Sequence, residues 1–393
     1  MLKTRVTDSA VRMALFYAVT FAGTGVSLPF IGRWFSAHGL SGAEIGVVLG
    51  APMLARLVSS PLIAVWADSF RLRRAAVLGL ALIVFSAYVA IALTHGFAWW
   101  FAFWFVAATA LGNIIPLTDV LSLRRARREG FTFAIPRGVG SLAFILGNVI
   151  TGWLLTRMGV NIVLVWIVAA AAAMAFAAWV VLPPEPVSDD GPVSRAARFQ
   201  GLGRLVGDAK FMTAICAIGL IQAAHAAYYG FSAILWKAQG LSDATTGLLW
   251  GAGVTAEIVF FWFLEPWRRR VGPLNLLLLS GVGSVIRWTA FAFSPPLWLL
   301  WPLQLLHALT FTACYIGGLH LVEEIAPKDS LSAAQTLSSA LSAGAFIGLA
   351  TILSGALYDR YGAYAYLAMS AMALAGLLCA VRLGRGWKPA ASG

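Results

Sequence analysis

The sequence AHGLSGAEIGVVLG at residues 37–50 recurs as AQGLSDATTGLLWG at residues 238–251, an offset of 201 positions. The identical pairs are Ala37 and Ala238, Gly39 and Gly240, Leu40 and Leu241, Ser41 and Ser242, Ala43 and Ala244, Gly46 and Gly247, and Gly50 and Gly251. A second match pairs Gly152, Arg157 and Gly159 with Gly355, Arg360 and Gly362, at an offset of 203. Chance similarity between glycine-rich apolar segments is the alternative for either match alone. Two matches at nearly one offset favour duplication of a structural unit.

The composition indicates that the duplicated unit is embedded in a membrane. Hydrophobic residues make up 60% of the 393-residue chain and charged residues only 11%, whereas a soluble domain carries about 25% charged residues. Apolar runs of roughly 20 residues, the length of one transmembrane helix, recur throughout. The net charge of +12 then fits basic helix ends at the cytoplasmic face, with no basic soluble domain to bind nucleic acid. The three cysteines lack metal-ligand spacing, so we predict neither a metal nor a cofactor.

The apolar runs predict an all-α integral membrane protein with twelve transmembrane helices in two six-helix halves. The predicted spans lie near residues 13–32, 43–66, 75–93, 97–120, 135–156, 160–182, 211–236, 243–264, 273–293, 297–322, 331–356 and 362–381. Residues 183–210 open with Pro183-Pro184-Glu185-Pro186 and read as a linker. The predicted domains are therefore an N-terminal half at 1–182, a cytoplasmic linker at 183–210 and a C-terminal half at 211–393.

The distribution of basic residues predicts the orientation of the chain. Of its 28 Lys and Arg residues, 21 fall at the termini, in the linker and in one alternating set of loops. The opposite set of loops holds only Arg33, Arg157, Lys237 and Arg360. Because basic residues concentrate on the cytoplasmic side, both termini and the linker are predicted to be cytoplasmic.

Ionisable residues inside the spans mark the candidate site. An ionised side chain at mid-membrane costs at least about 2.5–3.5 kcal/mol on insertion scales, so each needs a partner or a water-filled cavity. The residues concerned are Arg56, Asp119, Arg137, His225, Glu257, Arg287 and His307. The repeat aligns Arg56 with Glu257, and Asp119 with His320, which suggests that equivalent positions line a central cavity. The alternative is that these residues form buried ion pairs that only hold helices together.

Two helix faces add polar and aromatic groups to this set. Residues three and four apart share a helix face, so Gln222, His225 and Tyr229 form one polar stripe on span 7. Tyr17 and Phe21 share a face on span 1 in the same way. Interhelical hydrogen bonding on span 7, and ordinary packing on span 1, are the alternatives to contact with a substrate.

With these residues in view, the chain resembles the major facilitator superfamily. The loop after span 2 resembles the signature of that superfamily, although Ala64 replaces its glycine and Ser69 replaces a basic residue. The loop residues to which the resemblance assigns a gating role are Asp68, Arg73 and Arg74. More closely, the chain resembles the bacterial phenylpropionate permease family. That likeness rests on QAAHAAYYGFSAILW at 222–236, Pro116 to Asp119, Arg137 with Gly140-Ser141, Arg287-Trp288 and His307 before Thr310-Phe311.

The arrangement of charges also resembles that of lactose permease-type proton symporters. Those pair a carboxylate on span 4 with an arginine on span 5, as Asp119 and Arg137 would here. They also group a carboxylate, an arginine and a histidine on spans 8, 9 and 10, as Glu257, Arg287 and His307 would. A further carboxylate one turn after that histidine is absent, since Thr310 occupies its position. Any proton coupling would then depend more heavily on Glu257 or Asp119.

Together these resemblances imply a secondary transporter that carries a small organic solute with protons by alternating access. The excess of intramembrane arginines, with aromatic residues nearby, favours an aromatic carboxylate as the solute. The proton-coupling candidates are Glu257, Asp119 and His307. The substrate-binding candidates are Tyr17, Phe21, Arg56, Arg137, Gln222, His225, Tyr229, Arg287 and Trp288. The resemblance further implies a monomer in the bacterial inner membrane.

Other functions remain open at the level of sequence. A sugar or nucleoside proton symporter would use hydrogen bonds and aromatic stacking, and an exporter would use the same fold in the opposite direction. A membrane enzyme or signalling receptor would need a reactive constellation or an added soluble domain. The sequence contains neither of these features, so we do not expect an enzyme.

Overall fold

A computed structural model describes residues 7–185, 202–327 and 330–385, and the secondary structure in these ranges is almost entirely helical, with no strand. The first six spanning helices are α1 (Asp8–Ala37), α2 (Gly42–Ala67), α3 (Arg73–Leu93), α4 (Phe97–Glu129), α5 (Ala134–Met158) and α6 (Ile162–Val181). The next four are α7 (Ala209–Ala238), α8 (Asp243–Phe263), α9 (Pro273–Ala292) and α10 (Leu297–Ile325). Short helices at Leu202–Gly207 and Glu265–Val271 precede α7 and α9.

The last apolar stretch, Leu331–Gly384, contains two helices. Gly362 has φ 55°, a conformation that side-chain-bearing residues rarely adopt, and a short 3₁₀ turn at Gly362–Tyr364 follows it. The pieces Leu331–Ser339, Ala340–Phe346 and Ile347–Tyr361 form α11, and Ala365–Gly384 forms α12. The described residues thus contain twelve helices of spanning length, which confirms the predicted fold class.

The duplicated sequence motif forms the turn after the first helix of each repeat. Gly39 and Gly240 have φ 93° and 86°, so each ends a helix in the region that glycine tolerates best. Ser41 then caps α2 by accepting from the Glu44 amide at 3.3 Å, and Ser242 accepts from the Thr245 amide at 3.0 Å. The repeated Gly-Leu-Ser is a helix stop followed directly by a helix start.

Several helices extend beyond their predicted apolar runs. The four basic residues assigned to the opposite loops lie instead within the C-terminal parts of helices; they are Arg33 in α1, Arg157 in α5, Lys237 in α7 and Arg360 in α11. Basic groups near a helix C-terminus interact favourably with its dipole, so the helices continue through these positions.

The described residues form two compact units. Unit 1 comprises the residues up to 185 together with Gly230–Gly251, and unit 2 comprises the remaining residues. The halves predicted at 1–182 and 211–393 stay a prediction. Residues 186–201 of the predicted linker lie outside the described residues.

In unit 1, glycines bring α1 and α5 into direct backbone contact. A Cβ at Gly147 would lie 2.8 Å from the Ala22 carbonyl oxygen, and one at Gly25 would collide with the Phe144 carbonyl. Small residues allow this close approach between membrane helices. One turn away, a Cβ at Gly140 would press on the Phe21 ring at 3.0 Å. This packing sets the aromatic face of α1 beside the start of α5, where Arg137 lies.

In unit 2, a similar approach fixes α7 against α12 and α9 against α10. A Cβ at Gly376 would lie 3.0 Å from the Ala217 carbonyl oxygen, and one at Gly317 would lie 2.9 Å from the Pro273 carbonyl oxygen. Replacement of either glycine requires the neighbouring backbone to move. The polar residues of α7, α9 and α10 are thereby held in contact with one another.

Candidate functional site

Two local irregularities bring polar groups together in unit 2. Helix α7 is interrupted at Ala224–His225, where the Gln222 carbonyl oxygen accepts from the His225 amide at 3.1 Å and also contacts the His225 ring. Helix α10 contains a π-helical segment, Ala308–Ala313, directly after His307, and such segments are often found at functional sites. The wider turn changes which side chains of α10 face α9.

The groups that meet there form a continuous hydrogen-bonded set, here called the Glu257 network. Its members are His225, Glu257, Arg287, Gln304, His307 and Thr310. Most are fully buried, with 0% exposure for Arg287, His225, Gln304 and Thr310 and 4% for His307. Buried polar groups of this kind need partners, and the network supplies them.

Arg287 is the centre of the network. Its Nη1 donates to His307 Nδ1 at 2.8 Å and to Thr310 Oγ1 at 3.1 Å, and its Nη2 donates to Gln304 Oε1 at 2.5 Å. Gln304 in turn donates to the Tyr228 hydroxyl at 3.1 Å. The guanidinium also lies 4.6 Å from the Trp288 ring and 4.9 Å from the Tyr228 ring, a cation–π geometry. Arg287 is therefore held on several sides.

Glu257 is the more open end of the network. His307 Nε2 lies 3.0 Å from its Oε1, and the Thr312 hydroxyl donates to its Oε2 at 3.3 Å. The Glu257 side chain is 22% exposed, against 5% for His307. The imidazole of His307 thus lies between Arg287 and Glu257 and contacts both side chains, one with each ring nitrogen.

The polar stripe predicted on α7 makes hydrogen bonds within α7 and to Thr310 and Phe311 of α10. His225 Nδ1 bonds with the Gln222 carbonyl oxygen at 3.0 Å, and its Nε2 bonds with Thr310 Oγ1 at 3.2 Å. The His225 and Tyr229 rings stack at 5.8 Å. Gln222 donates its side-chain amide to the Phe311 carbonyl oxygen at 3.3 Å. The stripe therefore makes interhelical hydrogen bonds in this structure, and Trp288 packs flat against Tyr366 at 5.8 Å.

In unit 1, a second carboxylate and arginine meet at the aromatic face of α1. The Tyr17 hydroxyl donates to Asp119 Oδ1 at 2.5 Å, while Arg137 Nε lies 4.0 Å from the same oxygen. The Arg137 guanidinium stands 4.2 Å from the Phe21 ring centre. The side chains of Arg137 and Asp119 are 34% and 32% exposed. This group, here called the Asp119 cluster, is more open than the Glu257 network.

The other predicted residues of unit 1 make contacts that do not involve the Asp119 cluster. The Arg56 side chain runs beside Gly112, where an added Cβ would be 3.5 Å from Arg56 Nε. Arg73 pairs with Asp68 at 3.7 Å, and Arg74 follows in the first turn of α3; the gating role of this loop stays a prediction.

The buried partner of this loop, Glu185, was not predicted from the sequence. The Arg73 amide donates to the Glu185 carbonyl oxygen at 2.9 Å. The Glu185 side chain has 0% exposure and pairs with Arg125 and Arg128, each at 2.7 Å. An acidic residue between two prolines was the available signal, and the arginines with which it pairs lie far from it in the sequence.

Within the described ranges, no cluster of three or more His, Cys, Asp or Glu residues could hold a metal ion. The carboxylates and arginines of both groups can exchange protons and pair their charges. Unit 2 presents a carboxylate whose partner arginine is already engaged by neutral side chains. Unit 1 presents an arginine that is one-third exposed and flanked by aromatic rings.

Comparison with known proteins identifies the relatives of this chain. A family model described as "MFS_1 like family" matches residues 10–368. The chain is 31% identical over 366 residues to the probable 3-phenylpropionic acid transporter of Escherichia coli (strain K12), covering 92% of this chain and 94% of that protein. It is 26% identical over 375 residues to the maltose permease of Geobacillus stearothermophilus, covering 94% and 93%. The solved nucleoside transporter NupG has a similar fold, with a TM-score of 0.82, 16% identity and coverage of 97% and 100%.

Proposed function

The chain belongs to the MFS_1-like family of multi-pass membrane transporters, and from that premise we propose that it carries a small aromatic carboxylate together with a proton. The observation that carries the proposal is the pair of carboxylate–arginine groups, one in each unit, inside an apolar helical protein. Retaining such groups in spanning helices is costly, and they commonly mark ion and substrate pathways.

The Asp119 cluster supports a carboxylate as the solute. Arginine binds carboxylates through paired N–H donors, and Arg137 combines partial exposure with a position over the Phe21 ring. An acid that carries an aryl group would pair its charge with Arg137 and place its ring against Phe21 and Tyr17. The relative named as a probable 3-phenylpropionic acid transporter points to the same class of solute.

The Glu257 network supports the proton. When Glu257 is ionised, its charge balances that of Arg287 through the intervening imidazole. Protonation of Glu257 leaves a net positive charge in the network, which favours the approach of an anion. Proton and anion then promote one another's binding, and linkage makes that effect reciprocal.

The excess of basic residues on one set of helix ends supports an inner-membrane orientation with cytoplasmic termini.

Transport by purified protein in lipid vesicles tests this function. We expect 3-phenylpropionate to accumulate when the vesicle interior is more alkaline than the exterior. A carboxylate and one proton cross without net charge, so a potassium diffusion potential should not change the initial rate. Protein-free vesicles measure passive entry of the neutral acid, and that background is subtracted from each rate.

The same vesicles distinguish the rival functions. Maltose and nucleosides serve as comparison solutes, because sugar or nucleoside symport is the main alternative. Proton-driven uptake of either, with no protein-dependent movement of the acid, would overturn the proposed solute. Protein-dependent movement of the acid that ignores the pH gradient would instead overturn proton coupling.

Replacing Arg137 by glutamine is expected to raise the KM for the acid. A hydrogen bond to a charged group contributes about 1.5–3 kcal/mol, which corresponds to roughly a 10- to 150-fold change in apparent affinity. Arg157→Gln is the matched control, since Arg157 is another arginine of α5 that lies over an aromatic ring, 4.5 Å from the Trp153 ring centre, and it is not a substrate-binding candidate. An unchanged KM in Arg137→Gln would remove Arg137 from solute binding.

A further inference from the structure

We infer that Arg287 fixes His307 as a neutral imidazole with its proton on Nε2, so that Glu257 takes up the transported proton and His307 does not. This inference rests on the proposed proton coupling and extends it. It assigns the proton to one member of the network and makes Arg287 and His307 positioning residues.

The first step is the direction of the bond between Arg287 and His307. Arginine is permanently charged and has only donors. Its Nη1 lies 2.8 Å from His307 Nδ1, so Nδ1 must accept and carries a lone pair. A neutral imidazole with a bare Nδ1 has its proton on Nε2. His307 Nε2 lies 3.0 Å from Glu257 Oε1, so the Nε2–H donates a hydrogen bond to the carboxylate.

The second step is the cost of a second proton on His307. An imidazolium donates from both nitrogens, so its Nδ1–H would point at the Arg287 N–H, donor against donor and cation against cation. Arg287 cannot readily turn away, because Thr310 and Gln304 also bind its guanidinium. Protonation of His307 therefore requires the centre of the network to come apart.

The third step is the surroundings of His307, which contain no alternative carboxylate among the contacts described. The titratable and charged groups that face it come from three helices. They are His225, Tyr228 and Tyr229 of α7, Glu257 of α8 and Arg287 of α9. His225 is the opposite tautomer, because its Nδ1 faces the Gln222 carbonyl oxygen and must donate. Its Nε2 is then an acceptor that faces Thr310 Oγ1.

Glu257 is left as the group that can gain a proton without breaking the network. Its Oε1 and Oε2 accept from His307 and Thr312, and each oxygen has a second lone pair. The Glu257 side chain is also more exposed than that of His307. A proton can thus reach Glu257 directly, while His307 holds the carboxyl in place.

The tautomer is observed directly by nitrogen NMR of the full-length protein in lipid, labelled with ¹⁵N in its histidine rings. The five histidines are assigned by single substitutions, including His307→Gln and His225→Gln. We expect the His307 signals of a neutral ring protonated at Nε2, unchanged from mildly acidic to mildly alkaline pH. Appearance of an imidazolium at His307 within that range, or of the Nδ1–H tautomer, overturns the inference.

Transport by two substitutions gives an independent readout. Glutamine places its amide nitrogen near the former Nε2, so His307→Gln should retain proton-driven accumulation and its pH profile. His307→Leu removes the donor to Glu257 and should shift the pH profile. If His307→Gln exchanges solute but fails to accumulate it, His307 carries the proton and the inference is wrong. If the unsubstituted protein shows no proton coupling, the proposed function fails, whereas the NMR result still decides the tautomer.

Discussion

Replacing Glu257 with glutamine is expected to abolish accumulation of the solute against its gradient while preserving solute exchange. Glutamine has nearly the size of glutamate and can still accept from His307 through its amide oxygen, but it cannot take up a proton. A gradient of one pH unit supports about tenfold accumulation in one-to-one symport, since that unit is worth about 1.36 kcal/mol. We expect the protein-dependent initial rate of net uptake to fall to zero in vesicles with an alkaline interior, measured before passive entry of the neutral acid reaches the same ratio.

Two other carboxylates provide the comparison. Asp119→Asn removes the rival carboxylate of unit 1, which accepts from the Tyr17 hydroxyl. We expect this variant to transport more slowly, because Tyr17 loses a charged partner, but to retain accumulation. Glu323→Gln changes an exposed carboxylate that contacts His320 at 3.2 Å and should resemble the unsubstituted protein. Full accumulation by Glu257→Gln, with its loss in Asp119→Asn, would transfer proton coupling to Asp119.

The fold was predictable because its signals are local or periodic. Hydropathy alone predicts spans wherever about 20 apolar residues recur. The turn after the first helix of each repeat depends on Gly39 and Ser41, and on Gly240 and Ser242, whose conformational roles are carried by the residues themselves. The helix ends were less predictable, since polar residues such as Arg33 continue a helix beyond its apolar run.

The ionisable members of the Glu257 network were predictable from the sequence, but the contacts between them were not. The cost of ionisable groups in spans singled out Glu257, Arg287 and His307. Their arrangement through Gln304 and Thr310 depends on the π-helical segment of α10, and regular helix periodicity does not anticipate that change of register. Gln304 alone offered a signal, as a lone amide within an apolar run.

Removing the charge of Asp243 is expected to destabilise unit 1 strongly, because the substitution leaves Arg33 without the carboxylate with which it pairs. The Asp243 side chain is 3% exposed and forms an ion pair with Arg33, which is itself 16% exposed. A Cβ at Gly152 would lie 2.6 Å from the Asp243 carbonyl oxygen, so the backbone around Asp243 is closely packed. Breaking a buried pair costs about 3–5 kcal/mol, because the remaining charge stays buried. Thermal unfolding of Asp243→Asn in detergent measures the loss.

Lys237 provides the matched control for this ion pair. Its ammonium group lies 3.2 Å from the other Asp243 oxygen, but the side chain is 50% exposed. An exposed ion pair contributes only about 0–1 kcal/mol, so Lys237→Gln should melt close to the unsubstituted protein. An equal loss in Lys237→Gln and Asp243→Asn would show that burial does not decide the effect.

A double-mutant cycle separates the ion pair from other effects of Asp243. As the first residue of α8, Asp243 also interacts favourably with the helix dipole. This interaction contributes about 0.3–1 kcal/mol, and Asp243→Asn removes it whether or not Arg33 is substituted. The variant carrying both Arg33→Gln and Asp243→Asn leaves no buried unpaired charge, because Lys237, the other partner of Asp243, is half exposed. It should therefore be less destabilised than the sum of the single variants, with an interaction energy of about 0.5–3 kcal/mol. Simple additivity would mean that Arg33 and Asp243 stabilise the protein independently, and that the helix dipole and the ion pair with Lys237 account for the effect of Asp243→Asn.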